Sequence, residues 1–263
     1  MRRFSTSYLD ETRRGMWESR AALSPLSLAD RDLVLDVGCG TGELSSVLCE
    51  ESSGSVVGLD RDRSLLREVS VPTIQADAVE LPVRDDAADL VVCQALLVNL
   101  SDADIDRALA EFVRCSSDLV AVIEPDNSAV NVESTVSEES DLAARAREHY
   151  ISGVGTDVTL GAIPDRLREH GLTDVKTRRY DHVRTIESPY GERAVEAAKR
   201  KVTGSRIAQQ RDTLLAGGMS DKAYESFRSE WREMGRAIVE AMHAGTYHRK
   251  EVIPFFVTVG RIV

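Results

Sequence analysis

The stretch Asp36-Val37-Gly38-Cys39-Gly40-Thr41-Gly42 is the strongest chemical signal in the sequence. An acid followed by glycines at alternate positions describes a backbone that turns tightly. It lets a ligand lie against it with no Cβ in the way. A helix starting near Glu43 adds unsatisfied N–H groups at the same place. The dinucleotide pattern G-x-G-x-x-G is not met, because position 43 is Glu43 and an acid there is a poor neighbour for a pyrophosphate. A plain tight turn can carry the same glycines, so the loop alone names no ligand. Two further acids do. Asp60 falls about 20 residues past the glycines, where a carboxylate can accept from ribose hydroxyls. Asp77, followed by Ala78, falls where a carboxylate or a backbone amide can meet an adenine edge. Each acid alone reads as a solvated strand end; three in order read as a nucleoside site.

Groups able to take a proton are scattered: Tyr8, Glu124, Asp126, His149, Tyr150, His182 and His243. Glu124-Pro125-Asp126-Asn127 is the best placed of these, although an acidic turn with a proline bend reads equally well. His149-Tyr150 closes a polar helix, where a cation suits the helix C-terminus. His182 and His243 read as structural. The catalytic candidates are therefore Glu124, Asp126 and Tyr8, with no single base fixed. Cys39, Cys49, Cys93 and Cys115 form no C-x-x-C pair and sit in apolar or small-residue surroundings. They read as reduced, buried thiols, and no metal site is expected.

These residues need elements to hold them. Short apolar runs at Leu33–Val37, 55–60, 73–77, 89–93 and 119–123 read as buried strands. Helices are expected at 43–51, 63–70 and 102–115, the last with Ile105, Leu109, Phe112 and Val113 on one stripe. Such alternation implies a parallel sheet covered on both faces, with a ligand edge at the strand C-termini. Before it, residues 8–28 carry an apolar pattern that Pro25 should end as a helix. After Ile123 the rhythm changes. A polar helix is expected over 134–150 and another over 162–170, closed by Gly171. An alternating strand follows over 174–185, then a long helix over 192–215. A helix over 221–243 has Ser220 as its N-cap, and a last strand spans 253–261. The two long helices before that strand read as a cap.

Taken together, Val34 to Gly42, Val57-Gly58-Leu59-Asp60, Ala76-Asp77-Ala78 with Leu81-Pro82, and Asp89 to Cys93 resemble the class I S-adenosylmethionine-dependent methyltransferases. The resemblance covers about residues 30–127 and is strongest to the branch of quinone-biosynthesis and other small-molecule enzymes. It implies an α/β, Rossmann-like sheet of seven strands, mostly parallel, with the last strand antiparallel and helices on both faces. It implies S-adenosylmethionine as cofactor. Gly38 and Gly40, in a turn that also holds Cys39 and Gly42, would pass its methionine part, and Asp36 would orient its ammonium group. Asp60, with Arg61 beside it, would hold the ribose. Asp77 and Ala78 would frame the adenine, and Gln94 would lie beside the methyl donor. The turn after the fourth strand, Gln94 to Leu100, lacks the aromatic or histidine-rich character of many relatives. Ser188-Pro189-Tyr190 follows the sixth strand, not the fourth, and reads as a helix-entry turn.

The chain has 263 residues, 42% hydrophobic, enough for a single domain with a cofactor half near 30–127 and substrate-side helices near 128–250. No apolar run approaches the roughly 20 residues of a membrane span, and the basic N-terminus has no apolar segment behind it. A cytoplasmic protein is expected. The net charge of −11 argues against a nucleic-acid partner, so a small-molecule substrate is expected, and a homodimer is left open. A non-catalytic cofactor-binding protein, a nucleic-acid methyltransferase and a nicotinamide oxidoreductase are the competing readings.

Overall fold

The computed structural model describes Arg13 and residues 15–263. Its strands and helices run β1 (Leu33–Val37), α1 (Glu43–Glu51), β2 (Ser55–Asp60), β3 (Thr73–Gln75), β4 (Ala88–Gln94), α2 (Asp102–Cys115) and β5 (Ser116–Pro125). They continue with β6 (Asn131–Ser134), α3 (Ser137–Gly153), α4 (Pro164–Glu169), β7 (Thr173–Ile186) and α5 (Glu192–Thr203). The chain closes with α6 (Ser205–Gln209), α7 (Arg211–Ala216), α8 (Asp221–His243) and β8 (Arg249–Arg261). It divides into two compact units. One runs up to Asp126 and takes in Leu160–Tyr180 and Pro254–Val263; the other comprises Asn127–Thr159 and Asp181–Ile253.

The first unit holds the parallel sheet. Strand order is β3-β2-β1-β4-β5-β8, with β7 also paired to β8. β1 to β5 run parallel, and β8 is antiparallel to β5, with Val122 opposite Thr258. The order reverses between β1 and β4, so their C-terminal ends form the switch point where such sheets take ligands. Leu35, Val37, Val91, Cys93, Val120 and Val122 share one core with Ile105, Leu109 and Phe112 of α2. Successive strand residues point to opposite faces, and on the other face Asp36 of β1 is met by Ser45 of α1. Ser101 caps α2 by accepting from the Asp104 N–H at 3.3 Å.

The second unit is mainly helical, with β6 antiparallel to the start of β8 through Ser134 opposite Arg249. Tyr224, Phe227, Trp231, Met234 and Ile238 of α8 form a buried stripe, packed with Leu142 of α3 and Ala198 of α5. Ser220 caps α8 as expected, accepting from the Ala223 N–H. α3 and α7 touch backbone to backbone: a Cβ on Gly217 would lie 1.8 Å from the His149 carbonyl oxygen. The His149 ring joins the same contact through Nδ1 and the Gly217 oxygen at 2.9 Å.

Several sequence expectations shift. An eighth strand, β6, is present, and its four residues were too few to show a period. The long helix expected over 192–215 is three helices, because Gly204 at φ +66° and Gln210 interrupt it. The helix expected over 63–70 shrinks to a 3-10 turn, Leu65–Glu68. Pro25 lies inside a 3-10 helix, Arg20–Leu26, which is ended instead by Ser27 in the left-handed region. β3 stops at Gln75, because Asp77 turns back to receive the Val79 N–H on its carboxylate. Cys49, expected buried, is exposed.

Candidate active site

The turn between β1 and α1 is built as the glycines require. Gly38, Gly40 and Gly42 all have positive φ, at +74°, +58° and +82°, where a side chain is strained. The Gly38 and Cys39 N–H groups both donate to the Leu59 carbonyl, at 2.7 and 3.0 Å. That anchors the turn to β2. The turn is not wholly bare: a Cβ on Gly38 would lie 2.8 Å from Leu96, and one on Gly42 would lie 2.8 Å from Val69. These two glycines therefore also make room for the chain's own side chains.

Asp60 ends β2 and reaches back to the turn. Its Oδ2 accepts from the Gly40 N–H at 3.0 Å, and its Oδ1 from the Asp62 N–H at 2.8 Å. Asp36 is 1% exposed. Its Oδ2 accepts from Ser45 Oγ at 2.5 Å. Burial lifts its carboxyl to about 6, against the pull of Ser45 and of the Arg13 guanidinium. The Cys39 thiol is pushed well above its ordinary range by burial and by the charges of Asp36 and Asp60, so it is a packing residue.

The other residues expected here are spread along the same sheet edge. Asp77 is exposed beyond β3, whereas Ala78 is buried in the core. Arg61 is exposed, and its carbonyl accepts from Gln75 Nε2 at 3.1 Å. Gln94, at the end of β4, is 2% exposed.

Among the catalytic candidates, Glu124 is fully buried at the end of β5. Its Oε1 accepts from the Leu96 and Leu97 N–H groups at 2.9 and 2.8 Å, and its Oε2 from the Val98 N–H at 3.3 Å. Burial raises its carboxyl to about 7, and those three amides oppose the rise. The side chain thus pins the turn after β4. Asp126 is half-buried, and its N–H donates to the Pro254 carbonyl at 3.0 Å. Tyr8 lies outside the described residues. His182 is buried in β7, and His243 is exposed at the end of α8.

Two residues that sequence reasoning missed stand at this edge. The buried Arg13 lies close enough to Asp36 and Glu124 to pull both carboxyls down. Its Nη2 donates to the Gln94 carbonyl at 3.5 Å. Met16 is wholly buried, with its sulfur against the Gln94 amide. No local pattern distinguishes either; only the fold brings them to the ends of β1 and β4. Ser45 could have been noticed as a polar residue on the inward face of α1.

Residues 34–118 match the family described as "Methyltransferase domain". Over those residues the chain is similar to a methyltransferase domain. The chain is 35% identical over 98 residues to the "Demethylmenaquinone methyltransferase" of Lactobacillus johnsonii, covering 32% of this chain and 38% of that protein. It is 34% identical over 108 residues to the protein of the same name from Thermus thermophilus, covering 37% and 48%. The chain thus spans less than half the length of these two curated relatives. In fold it is similar to a solved "SAM dependent methyltransferase from Archaeoglobus fulgidus", with a TM-score of 0.52 at 14% identity, covering 98% of this chain and all of the other. Among the described residues, no helix is long and apolar enough to cross a membrane.

Proposed function

We propose that this chain transfers a methyl group from S-adenosylmethionine to a small-molecule acceptor by in-line displacement. The observation that carries the reading is the joint between Gly40 and Asp60: a glycine-rich turn and a carboxylate from the next strand are tied together at the switch point of a parallel sheet. When bound, the cofactor supplies an already activated methyl group. The protein's task is therefore to bind, align and exclude water.

The residues present suit that ligand. Asp36, ionised above about pH 6, offers a buried negative charge for an ammonium group. The Arg13 guanidinium beside it suits the carboxylate of the same amino-acid end, since paired acid and base are what a zwitterion needs. We assign the ribose to Asp60, the adenine edge to Asp77 and Ala78, and the neighbourhood of the donor sulfur to Gln94. Gly38, Cys39, Gly40 and Gly42 line the backbone passage, and Arg61 flanks the ribose. Glu124 is fully buried and its oxygens are taken by three backbone amides, so it positions the turn after β4, whereas Asp60 is only half-buried and accepts from two. Asp126 is left as the acid for an acceptor that must lose a proton.

The names of the two relatives support a small, apolar acceptor, and the net charge of −11 weighs against nucleic acid. We place the protein in the cytoplasm. Titration calorimetry with S-adenosylmethionine tests the site. Asp60→Asn should weaken binding by a factor on the order of ten or more with the fold intact; unchanged affinity would sink the assignment. Incubation with a panel of quinols, phenols and amines should yield a methylated product. Cofactor binding with no product across the panel would favour a non-catalytic binding protein.

A further inference from the structure

Several arginines of the sheet-bearing unit are tied to carboxylates: Arg20 to Glu50, Arg31 to Asp118, Arg114 to Glu111 and Arg166 to Asp102. Arg63 and Arg67 differ. Both are exposed, and among the described residues neither lies within ion-pair distance of a carboxylate. Together with Leu66, Thr73 and Gln75 they line a surface cavity of about 260 Å³, formed by the 3-10 turn Leu65–Glu68, the residue before it and β3. No acid is among the lining residues. The nearby Asp62 turns inward instead, its Oδ1 accepting from the Ser64 N–H at 2.9 Å and the Ser64 hydroxyl at 2.6 Å.

β3 adds backbone donors. It is the outer strand of the sheet. The Gly58 N–H donates to the Pro72 carbonyl at 2.9 Å, and the Ala76 N–H to the Asp60 carbonyl at 3.1 Å. Those bonds set the alternation, so the Thr73 and Gln75 N–H groups point off the sheet edge. Two guanidiniums, a hydroxyl and outward amides thus meet over the buried side chain of Leu66.

The same segment presents Asp60. Asp60 lies opposite Gln75 in the register of β2 and β3. Its Oδ1 accepts from the Asp62 N–H, and Gln75 Nε2 donates to the Arg61 carbonyl. A group that drew Arg63 and Arg67 together would stiffen this turn.

We propose that the cavity is a binding site for a phosphate group, and that its occupancy steadies the turn carrying Asp60. Like-charged guanidiniums facing one cavity gain by sharing a doubly charged oxoanion, whose oxygens suit their planar forks. The phosphate site stands on its own; the effect on cofactor rests on the assignment of Asp60 under Proposed function.

The test is calorimetric titration of the whole chain with inorganic phosphate and with phenyl phosphate, at an ionic strength fixed with sodium chloride. Each should bind saturably, one per chain. Tighter binding of phenyl phosphate, whose ring can cover Leu66, would mark a phosphate monoester as the source; equal binding would mark the free ion. Arg67→Gln should weaken either by roughly tenfold, the scale of one charge-assisted hydrogen bond. Changing Arg63 and Arg67 to Gln together should abolish the binding. Arg84→Gln, exposed and outside the lining, should leave it unchanged. Saturating phosphate should tighten S-adenosylmethionine by roughly fivefold in the native chain and not in the double variant. Absence of saturable binding, or equal binding by the double variant, would overturn the site. S-adenosylmethionine affinity unmoved or weakened by bound phosphate would overturn the coupling to Asp60. A native chain that bound phosphate but not S-adenosylmethionine would bring down the assigned function and leave the phosphate site standing.

Discussion

Asp36 is an ion held at a cost. Burial lifts its carboxyl from 3.8 to about 6, and Glu124 behaves alike, rising from 4.5 to about 7. The folded chain therefore takes up protons at these groups before the unfolded chain does. Between those limits, stability contributed by the pair increases as pH falls and is lost as pH rises. Cofactor binding should run the other way, because only ionised Asp36 attracts an ammonium group. Lowering the pH from about 8 to 5 should raise the melting temperature of the empty protein and weaken S-adenosylmethionine affinity over the same interval. Asp36→Asn should bind weakly and with a flatter pH profile, seen by calorimetry at several pH values. Affinity that is flat with pH in the native chain would remove Asp36 from the site. At this scale the sequence was informative where chemistry and position coincide, as at Asp36 and Asp60. It was silent on Arg13 and Met16, which only the fold brings beside Gln94.

At the scale of elements, Glu124 shows how one side chain can look catalytic and be structural. From sequence it is an acid at the functional end of β5. In the fold its carboxylate gathers the Leu96, Leu97 and Val98 amides, much as a capping residue gathers the free N–H groups of a helix. Glu124→Gln should cost little, since one amide oxygen still accepts. Glu124→Leu leaves buried amides unpaired and should cost about 2–4 kcal/mol, measured by chemical denaturation. Equal stability of the two variants would contradict the capping role. The α3–α7 contact makes a second demand. Gly217→Ala drives a methyl group into the His149 carbonyl and should destabilise by roughly 1–3 kcal/mol, the usual scale of overpacking. A melting temperature equal to native would show that the helices can separate freely. Neither demand was legible beforehand. Apolar periodicity reports which face of a helix is buried, but not how near the next backbone lies. The strands were legible because burial on both faces leaves an apolar run bounded by glycines or acids. The breaks at Gly204 and Gln210 were not, because isolated polar residues and one glycine are common inside helices.

Over the whole chain, alternation of strands and helices up to residue 126 was readable, and so was the insertion of helices before the last strand. The return of Leu160–Tyr180 and Pro254–Val263 to the sheet-bearing unit was not, since pairing between distant strands leaves no local mark. The helical unit should also answer acid in its own way. Arg249 and Arg184 hold Glu251 down to about 2, against the cost of burying it. Glu139, bonded to Ser134, Tyr247, Lys201 and Arg249, is likewise lowered. Stability from these depressed carboxyls is present above about 4.5 and is lost as pH falls through their folded values. Hydrogen exchange followed downward from pH 5 should show α3 and β8 losing protection before α2; the reverse order would assign the weak point elsewhere.

The pairing of β5 with β8 has a consequence for synthesis. As the chain leaves the ribosome, the parallel strands can assemble early, but the open hydrogen-bonding edge of β5 has to wait for a partner made after every other strand and helix described here. An apolar strand left unpaired for that interval invites association with other nascent chains. The time taken to translate the intervening helices is thus a period of exposure that a chaperone, or slow dilution in refolding, would need to cover.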